Sequence, residues 1–367
     1  MGSANDQLYM ARALRLARRG LCTTHPNPRV GCVLVRDGVM VGEGWHEQAG
    51  GPHAEIHALQ QAGERAAGAT AYVSLEPCCH QGRTPPCSDA LIAAGVTRVV
   101  AAMLDPNPQV AGSGLQQLQQ AGIETAVGVL QAEAEQLNAG FVMRMRAGRP
   151  WVRCKLAMSV DGRTAMASGE SQWITGTAAR QDVQRLRARS AAIMTGINTV
   201  LADDPSLTAR SVDGATAGMR QPLRVVLDSA LRLPPAAKLL EQPGNTLILT
   251  GVADQARYAP LVRANVEIAA VLLADGRLDL TAVLQYLGTR EINDVHLEAG
   301  AGLCGALLQA GLVDELIIYM APMLLGNDAR GLLQLPGLDT LAQRVQLQIT
   351  DMRAVGEDWR ITARAVH

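Results

Sequence analysis

His53-Ala-Glu55, followed by Pro77-Cys-Cys-His-Gln-Gly-Arg-Thr-Pro-Pro-Cys87, is the stretch on which the reading of this chain turns. One imidazole and two thiolates can hold zinc tetrahedrally and leave its fourth position to water, whose pKa falls to roughly 7. A Glu two residues after the His can face that water without binding the metal. It can then take the water proton, pass it to a ring nitrogen and later protonate departing ammonia. Such a constellation suits hydrolytic removal of an exocyclic amine from a pyrimidine.

The pattern H-x-E…P-C-x-x-C marks zinc nucleobase deaminases. Here the second Cys follows after eight intervening residues rather than two. His53 and Cys87 are both expected at helix starts, where the positive end of the dipole favours thiolate and hydroxide. His53 and His57 stand four apart as in a helical zinc protease, but the Glu comes one residue late for that motif. His57 is therefore read as packing against its own domain. Cys79 rivals Cys78. A Pro-Cys step followed by a helix-entering Cys favours Cys78 with Cys87 and leaves Cys79 as a bystander or as a thiol just behind the ligands.

Outward from this stretch, Arg29–Arg36 and Val39–Gly44 flank Asp37-Gly38, a two-residue turn suited to a hairpin. Helices are expected near residues 53–65, 87–94, 115–121 and 132–146, with strands near 70–75, 98–104 and 123–127. An amphipathic helix through Leu8, Ala11, Leu14 and Ala17 precedes them. A hairpin followed by βα alternation implies a three-layer α/β sheet. The chain divides near Arg146–Pro150, and the alternation restarts. Strands are expected near 151–157, 191–195, 223–228, 246–250 and 294–298, and helices near 178–189 and 302–309. An antiparallel pair is expected at 345–352 and 359–366, and a surface loop at 214–218.

In the second half, Gly300-Ala-Gly-Leu-Cys-Gly305 spells G-x-G-x-x-G between a strand and a helix. The motif alone is weak, because it lies late in its domain and the acidic residues Asp314 and Glu315 come too soon for a Rossmann unit. Small residues packing a helix start are the plain alternative. Backbone N–H groups at a helix N-terminus nonetheless suit a pyrophosphate wherever they occur.

Composition narrows the field. The 367 residues fit about two domains. Thirty-three Lys and Arg against 34 Asp and Glu argue against a surface built to grip nucleic acid. Aromatic residues make up 3%, too few for base-stacking platforms or membrane-interface belts. No apolar run is long enough to span a membrane. Arg12, Arg15, Arg18 and Arg19 break up any secretory segment, although an Arg-rich start is also compatible with a transit peptide. Seven cysteines, an odd number, read as thiols or metal ligands in a reducing, cytoplasmic compartment.

Over nearly its whole length the chain resembles the bifunctional riboflavin-biosynthesis deaminase–reductases. The matching stretches in the first half are Thr24-His-Pro-Asn-Pro28, Gly51-Pro-His-Ala-Glu55, the Pro77–Cys87 run and Asp105-Pro-Asn-Pro108. In the second half they are Lys155, Ser159-Val-Asp-Gly-Arg-Thr-Ala165, Ser171-Gln-Trp-Ile-Thr175, Thr199-Val-Leu-Ala-Asp-Asp-Pro205 and Glu298-Ala-Gly300. The long gap between the two Cys is itself a mark of that family. The resemblance implies a cytidine-deaminase-like αβα domain over residues 1–147 and a dihydrofolate-reductase-like α/β domain over 148–367.

Carried over residue by residue, His53, Cys78 and Cys87 become zinc ligands, and Glu55 becomes the proton carrier. Asn27, His46, Arg83 and Thr84 fall on the pyrimidine ribotide. In the second half, Gly300, Ala301, Gly302, Leu303, Cys304, Gly305 and Ala306 fall on the phosphates of NADPH. Ala157, Trp173, Thr199, Asp203 and Ser229 match other cofactor positions, and Arg232 is a further candidate for the 2′-phosphate. Ser171, Arg187, Leu207, Arg210 and Glu298 fall on the second substrate. Lys155 and Glu298 are candidates for assisting ring opening or protonation. Two departures stand out: Cys79 where the family suggests Ser, and Ala301-Gly302 where a bulkier pair is expected.

The implied function is deamination of a diamino-hydroxy-ribosylaminopyrimidine phosphate, then NADPH-dependent reduction of the ribose to the ribityl form. Small-molecule substrates, a homo-oligomer, and no nucleic-acid or membrane partner accompany it. The competing expectations are a nucleic-acid-editing deaminase with an RNA-binding second half, and a nucleotide-sensing regulator with a retired zinc site.

Overall fold

Ser3 starts the first helix through a reciprocal cap. Its hydroxyl accepts the Asp6 N–H at 3.1 Å, while the Asp6 carboxylate accepts the Ser3 N–H at 3.0 Å. The computed structural model describes residues 3–79, 86–108, 110–211, 216 and 218–366. Most of the loop expected at 214–218 lies outside these residues. Helix α1 (Ala4–Ala17) buries Met10, Ala13, Leu14 and Ala17. The expected stripe is thus turned, and Leu8 faces solvent.

The chain forms two compact units that divide between Gly148 and Arg149. In the first, β1 (Gly31–Arg36) and β2 (Val39–Trp45) make the expected hairpin. Asp37 and Gly38 both have positive φ, 52° and 77°, as a tight turn with this twist requires. Helix α2 (Ala54–Ala62), β3 (Thr70–Val73), α3 (Cys87–Ala93), β4 (Arg98–Ala101), α4 (Ser113–Gln120) and β5 (Glu124–Val127) follow. The sheet order is β2-β1-β3-β4-β5. One face packs on α2, α3 and α4 through Cys32, Leu34, Ala71, Val73 and Val99. The other packs on α1 through Val33, Val35, Tyr72 and Val100. This is the expected three-layer arrangement.

The single helix expected over 132–146 is two, α5 (Gln131–Leu137) and α6 (Ala139–Ala147). The break is at Asn138. Its Oδ1 accepts the Arg29 N–H at 2.8 Å, and its Nδ2 donates to the Arg29 carbonyl at 3.0 Å.

The second unit opens with β6 (Trp151–Ser159), β7 (Arg163–Ala165), α7 (Thr177–Arg189), β8 (Ala192–Gly196), α8 (Ile197–Asp203), β9 (Leu223–Leu227), β10 (Thr246–Thr250) and β11 (Val266–Ala270). Two short strands, β12 (Leu273–Ala274) and β13 (Arg277–Leu278), precede α9 (Leu280–Thr289), β14 (Asp294–Leu297), α10 (Ala301–Gln309) and β15 (Glu315–Ala321). After β16 (Arg330–Gly331) the chain ends in β17 (Gln346–Val355) and β18 (Asp358–Val366). The nine-stranded sheet runs β11-β10-β9-β8-β14-β6-β15-β18-β17. Its pairings are parallel from β11 to β15 and antiparallel across β18 and β17. The expected elements are present, and α8, α9, β11, β15 and the short strands β7, β12, β13 and β16 are additions to them. The core under α9 and α10 is built from Val152, Cys154, Leu297, Leu307 and Leu316.

Candidate active sites

Two glycines on β2 let α2 lie close to the sheet. A Cβ on Gly42 would stand 2.2 Å from the Ala58 carbonyl oxygen, and one on Gly44 would stand 2.6 Å from that of Ala54. This approach fixes where α2 begins. His53 is its N-cap residue, and Glu55 lies in its first turn. Cys87 is the first residue of α3.

The turn bearing Cys78 is anchored by its neighbour Glu76. That buried carboxylate accepts backbone N–H groups from Asp105 at 3.0 Å, Gly112 at 2.9 Å, Gly114 at 2.9 Å and Leu115 at 3.3 Å. The sequence reading missed Glu76, because these partners lie about 30–40 residues away. A carboxylate before Pro77-Cys78 was the available signal.

These elements bring three donors together. His53 Nδ1 stands 3.2 Å from Cys87 Sγ and 3.6 Å from Cys78 Sγ, and the three ligand atoms lie within 4.8 Å of one another. The Cys87 N–H also points at Cys78 Sγ, at 3.4 Å. The Cys87 side chain, followed by His53 and the Cys87 N–H, lowers the Cys78 thiol well below its usual range, against burial. Cys79 lies outside the cluster, and burial raises its thiol. The His57 side chain packs against Gly44 instead of joining the cluster.

Glu55 is 3% exposed, and its Oε2 has no hydrogen-bond partner. Burial pushes its pKa up to about 7. A buried carboxyl with one oxygen unpartnered, beside an imidazole and two cysteine sulfurs, is a costly arrangement for an inert core. The donor set and the orphaned oxygen together fit zinc with a proton-carrying neighbour.

His46 stands edge-on to His53, with ring centroids 5.4 Å apart. Its Nδ1 is 3.0 Å from the Pro52 carbonyl and its Nε2 is 3.0 Å from Asn27 Nδ2. That pairing fixes the tautomer: Nδ1 donates and Nε2 accepts. Asn27 Oδ1 is the end of the amide not used in this bond. Arg83 and Thr84 lie outside the described residues.

The second site gathers at the carboxyl ends of parallel strands, where open α/β sheets hold their ligands. Leu297 of β14 pairs with Cys154 of β6 and Met194 of β8. The next row therefore sets Glu298 between Lys155 and Thr195. Arg187, from α7, grips Glu298 with Nε at 2.5 Å and Nη2 at 2.8 Å, and its Nη1 donates to the Thr208 carbonyl at 3.0 Å. Burial opposes ionisation of Glu298, but Arg187 outweighs it and holds the carboxyl well below its usual range. Burial also lowers the pKa of Lys155, against the pull of Glu298.

The glycine-rich run has two structural parts. Gly300 is the N-cap residue of α10, and Gly302 is exposed on its first turn. Thr199 Oγ1 approaches to 4.0 Å of a Cβ placed on Gly300. Cys304 and Gly305 are buried. A Cβ on Gly305 would stand 2.0 Å from the Gln334 carbonyl oxygen, so this glycine serves close packing. Leu303 and Ala306 are partly buried between these parts.

Other expected positions are more scattered. Trp173 is exposed, with the Arg180 guanidinium 4.8 Å above its ring. Ala157 lies on β6 two residues beyond Lys155, and Ser171 is partly buried in the loop before α7. Ser229 Oγ accepts the Leu278 N–H at 3.2 Å. Asp203 is exposed at the end of α8, Leu207 is buried with φ of 48°, and Arg210 is exposed. Arg232 donates to Asn198 Oδ1 at 2.9 Å.

The αβα layering around a His/Cys/Cys donor set is that of the cytidine-deaminase-like enzymes, and the sheet of the second unit is dihydrofolate-reductase-like. Residues 3–103 match the cytidine and deoxycytidylate deaminase zinc-binding region, and residues 150–361 match the RibD C-terminal domain. The riboflavin biosynthesis protein RibD of Escherichia coli (strain K12) is 57% identical over 363 residues, spanning 96% of this chain and 97% of that protein. The structure of Acinetobacter baumannii RibD, form 1, aligns with a TM-score of 0.91 at 48% identity, covering 99% of both chains. A Thermotoga maritima protein aligns at 0.87 and 31% identity, again over 99% of both chains. It is described as a diaminohydroxyphosphoribosylaminopyrimidine deaminase/5-amino-6-(5-phosphoribosylamino)uracil reductase.

The chain belongs to the RibD family of riboflavin-biosynthesis enzymes. It is a bifunctional enzyme whose deaminase domain uses zinc and whose reductase domain uses NADPH. The editing-deaminase alternative is not favoured by these relatives. Among the described residues no helix is long and apolar enough to cross a membrane.

Proposed function

We propose that a first domain, residues 1–147, deaminates 2,5-diamino-6-ribosylamino-4(3H)-pyrimidinone 5′-phosphate. The second, 148–367, then reduces the ribose of 5-amino-6-(5-phosphoribosylamino)uracil to the ribityl form. The observation that carries the first assignment is the meeting of His53, Cys78 and Cys87 beside the unpartnered Oε2 of buried Glu55.

His53, Cys78 and Cys87 are the residues that would hold zinc. When bound, zinc supplies the Lewis acidity that makes water a nucleophile near neutral pH. Glu55 takes one proton from the attacking water and gives it to a ring nitrogen, then takes the second from the resulting C–OH and gives it to the departing amine. Water and the C–NH2 group thus become a carbonyl and ammonia. Asn27, positioned by His46, orients the pyrimidine, with Arg83 and Thr84 assigned to the same substrate by resemblance alone.

In the reductase unit the sugar must open before its C1′ can be reduced. Bound at its proposed surface around Gly300–Ala306, NADPH would supply the hydride this carbon needs. Glu298, held ionised by Arg187, is a poor proton donor and a good partner for a developing iminium charge. Lys155, its ammonium made more acidic by burial, is the better candidate to protonate the ring oxygen. Because the Arg187 fork is engaged with Glu298, exposed Arg210 is the more available cation for the sugar phosphate, alongside Ser171 and Leu207. Gly300–Ala306, Ala157, Trp173, Thr199, Asp203 and Ser229 form the proposed cofactor surface.

The enzyme is assigned to the cytoplasm as a homo-oligomer without a nucleic-acid partner. The test follows ammonia release and NADPH oxidation separately on the diaminopyrimidine ribotide, with and without a chelator. The reading expects the chelator to stop ammonia release, and to spare NADPH oxidation when deaminated substrate is supplied. Chelator-insensitive ammonia release would contradict it.

A further inference from the structure

Two residues before Glu298, β14 carries His296. Strand alternation puts the two side chains on one face of the sheet. In register, His296 lies between Arg153 of β6 and Ile193 of β8. It is fully buried, with Nε2 3.3 Å from Glu298 Oε1, and neither ring nitrogen has a hydrogen bond of good geometry. A buried donor without a partner costs about 1–3 kcal/mol, so the nearby carboxylate is the acceptor to consider.

The charged groups facing the ring are Glu298, Arg153 of β6 and Arg187 of α7. Arg153 is paired with Glu315 at 2.5 Å, and Arg187 is paired with Glu298. Burial comes first in lowering the pKa of His296, and the two guanidinium groups add to it, against Glu298. A neutral imidazole has one N–H to give.

Resting on the assignment of Glu298 to the reductase site, we infer that His296 is a positioning residue. Its Nε2–H donates to Glu298 Oε1 and fixes the carboxylate in the orientation that Arg187 grips. His296 thus acts through Glu298 and needs no access to the ligand, which suits its complete burial. With Oε1 held by both Arg187 and His296, and Oε2 by Arg187, the carboxylate stays ionised.

The test uses the full chain labelled with 15N at its seven histidines. The His296 signal is identified by its loss in His296→Gln. The inference expects a neutral Nε2–H tautomer at pH 7 that changes in Glu298→Gln. An Nδ1–H tautomer, an imidazolium, or a signal indifferent to Glu298→Gln would overturn it.

A kinetic arm separates positioning from packing. His296→Leu should lower reductase kcat by about ten- to a hundredfold, the range for losing a hydrogen bond to a charged group, while KM for NADPH holds. His296→Gln keeps an N–H donor and should restore most of the rate. Equal losses in both variants, or no loss in Leu, would overturn the inference. Wild-type chain that oxidises no NADPH on the deaminated substrate would instead sink the reductase assignment, leaving the nitrogen spectra to decide the role of His296.

Discussion

Arg187 and Glu298 form a two-pronged ion pair on the sheet face of the second unit, Nε at 2.5 Å and Nη2 at 2.8 Å. Both side chains are largely buried. An ammonium cannot reproduce this planar fork. Arg187→Lys should therefore lower reductase kcat/KM by about tenfold or more, while ammonia release by the other unit is unchanged. Parallel assays of NADPH oxidation and ammonia release check this. An unaffected reductase would mean that the pair is only structural.

Lys155 gives a pH prediction. Burial lowers its pKa below that of an ordinary lysine, so the acidic form is lost as pH rises through that lowered value. If Lys155 donates the proton, the alkaline limb of the reductase profile falls below about pH 10. Lys155→Met should remove both the limb and most of the rate. The kcat profile from about pH 6 up to the ordinary lysine value of about 10.4 is the measurement. A Met variant with wild-type kcat would exclude Lys155 as the donor.

Glu55→Gln separates metal holding from proton transfer. The variant should bind one zinc as the wild type does and lose about three orders of magnitude or more in ammonia release. Metal analysis and an ammonia assay on the same preparation decide it. Retained deamination would show that another group carries the protons.

Gly42 tests how the sheet positions the zinc donors. A methyl group there would meet the Ala58 carbonyl at 2.2 Å and push α2 away from β2. Gly42→Ala should destabilise the first unit by about 1–3 kcal/mol, the usual cost of overpacking, and weaken zinc retention. Urea unfolding and chelator competition measure the two effects. Reductase activity should remain, because Gly42 belongs to the other unit.

The zinc donors and the first hairpin were legible because their signals are local. His53-Ala-Glu55 and Pro77-Cys78 carry their chemistry in adjacent residues, and Asp37-Gly38 specifies its own turn. The break at Asn138 was not legible, because it depends on a pairing with Arg29, 109 residues away. Strand β15, Glu-Leu-Ile-Ile-Tyr-Met-Ala, is an almost continuous buried run, and such a run lacks the alternation that separates strand from helix. Its place beside β6 follows from the sheet.

In the reductase unit, the sequence reading singled out Glu298 without the partner that sets its charge state. Arg187 stands 111 residues away and was assigned to the substrate by resemblance. His296 is an instance of a readable signal left unread. It lies two positions before Glu298 on a strand and hence on the same face. G-x-G-x-x-G also joined two roles that the fold separates, a helix start at Gly300–Gly302 and tight packing at Gly305.

X-ray absorption at the zinc edge, on protein purified without added metal, tests the central claim most directly. The account predicts one zinc per chain bound by one nitrogen and two sulfurs, with Zn–S near about 2.3 Å, and loss of sulfur scattering in Cys78→Ser and Cys87→Ser. A zinc shell without sulfur, or no change in either variant, would contradict it.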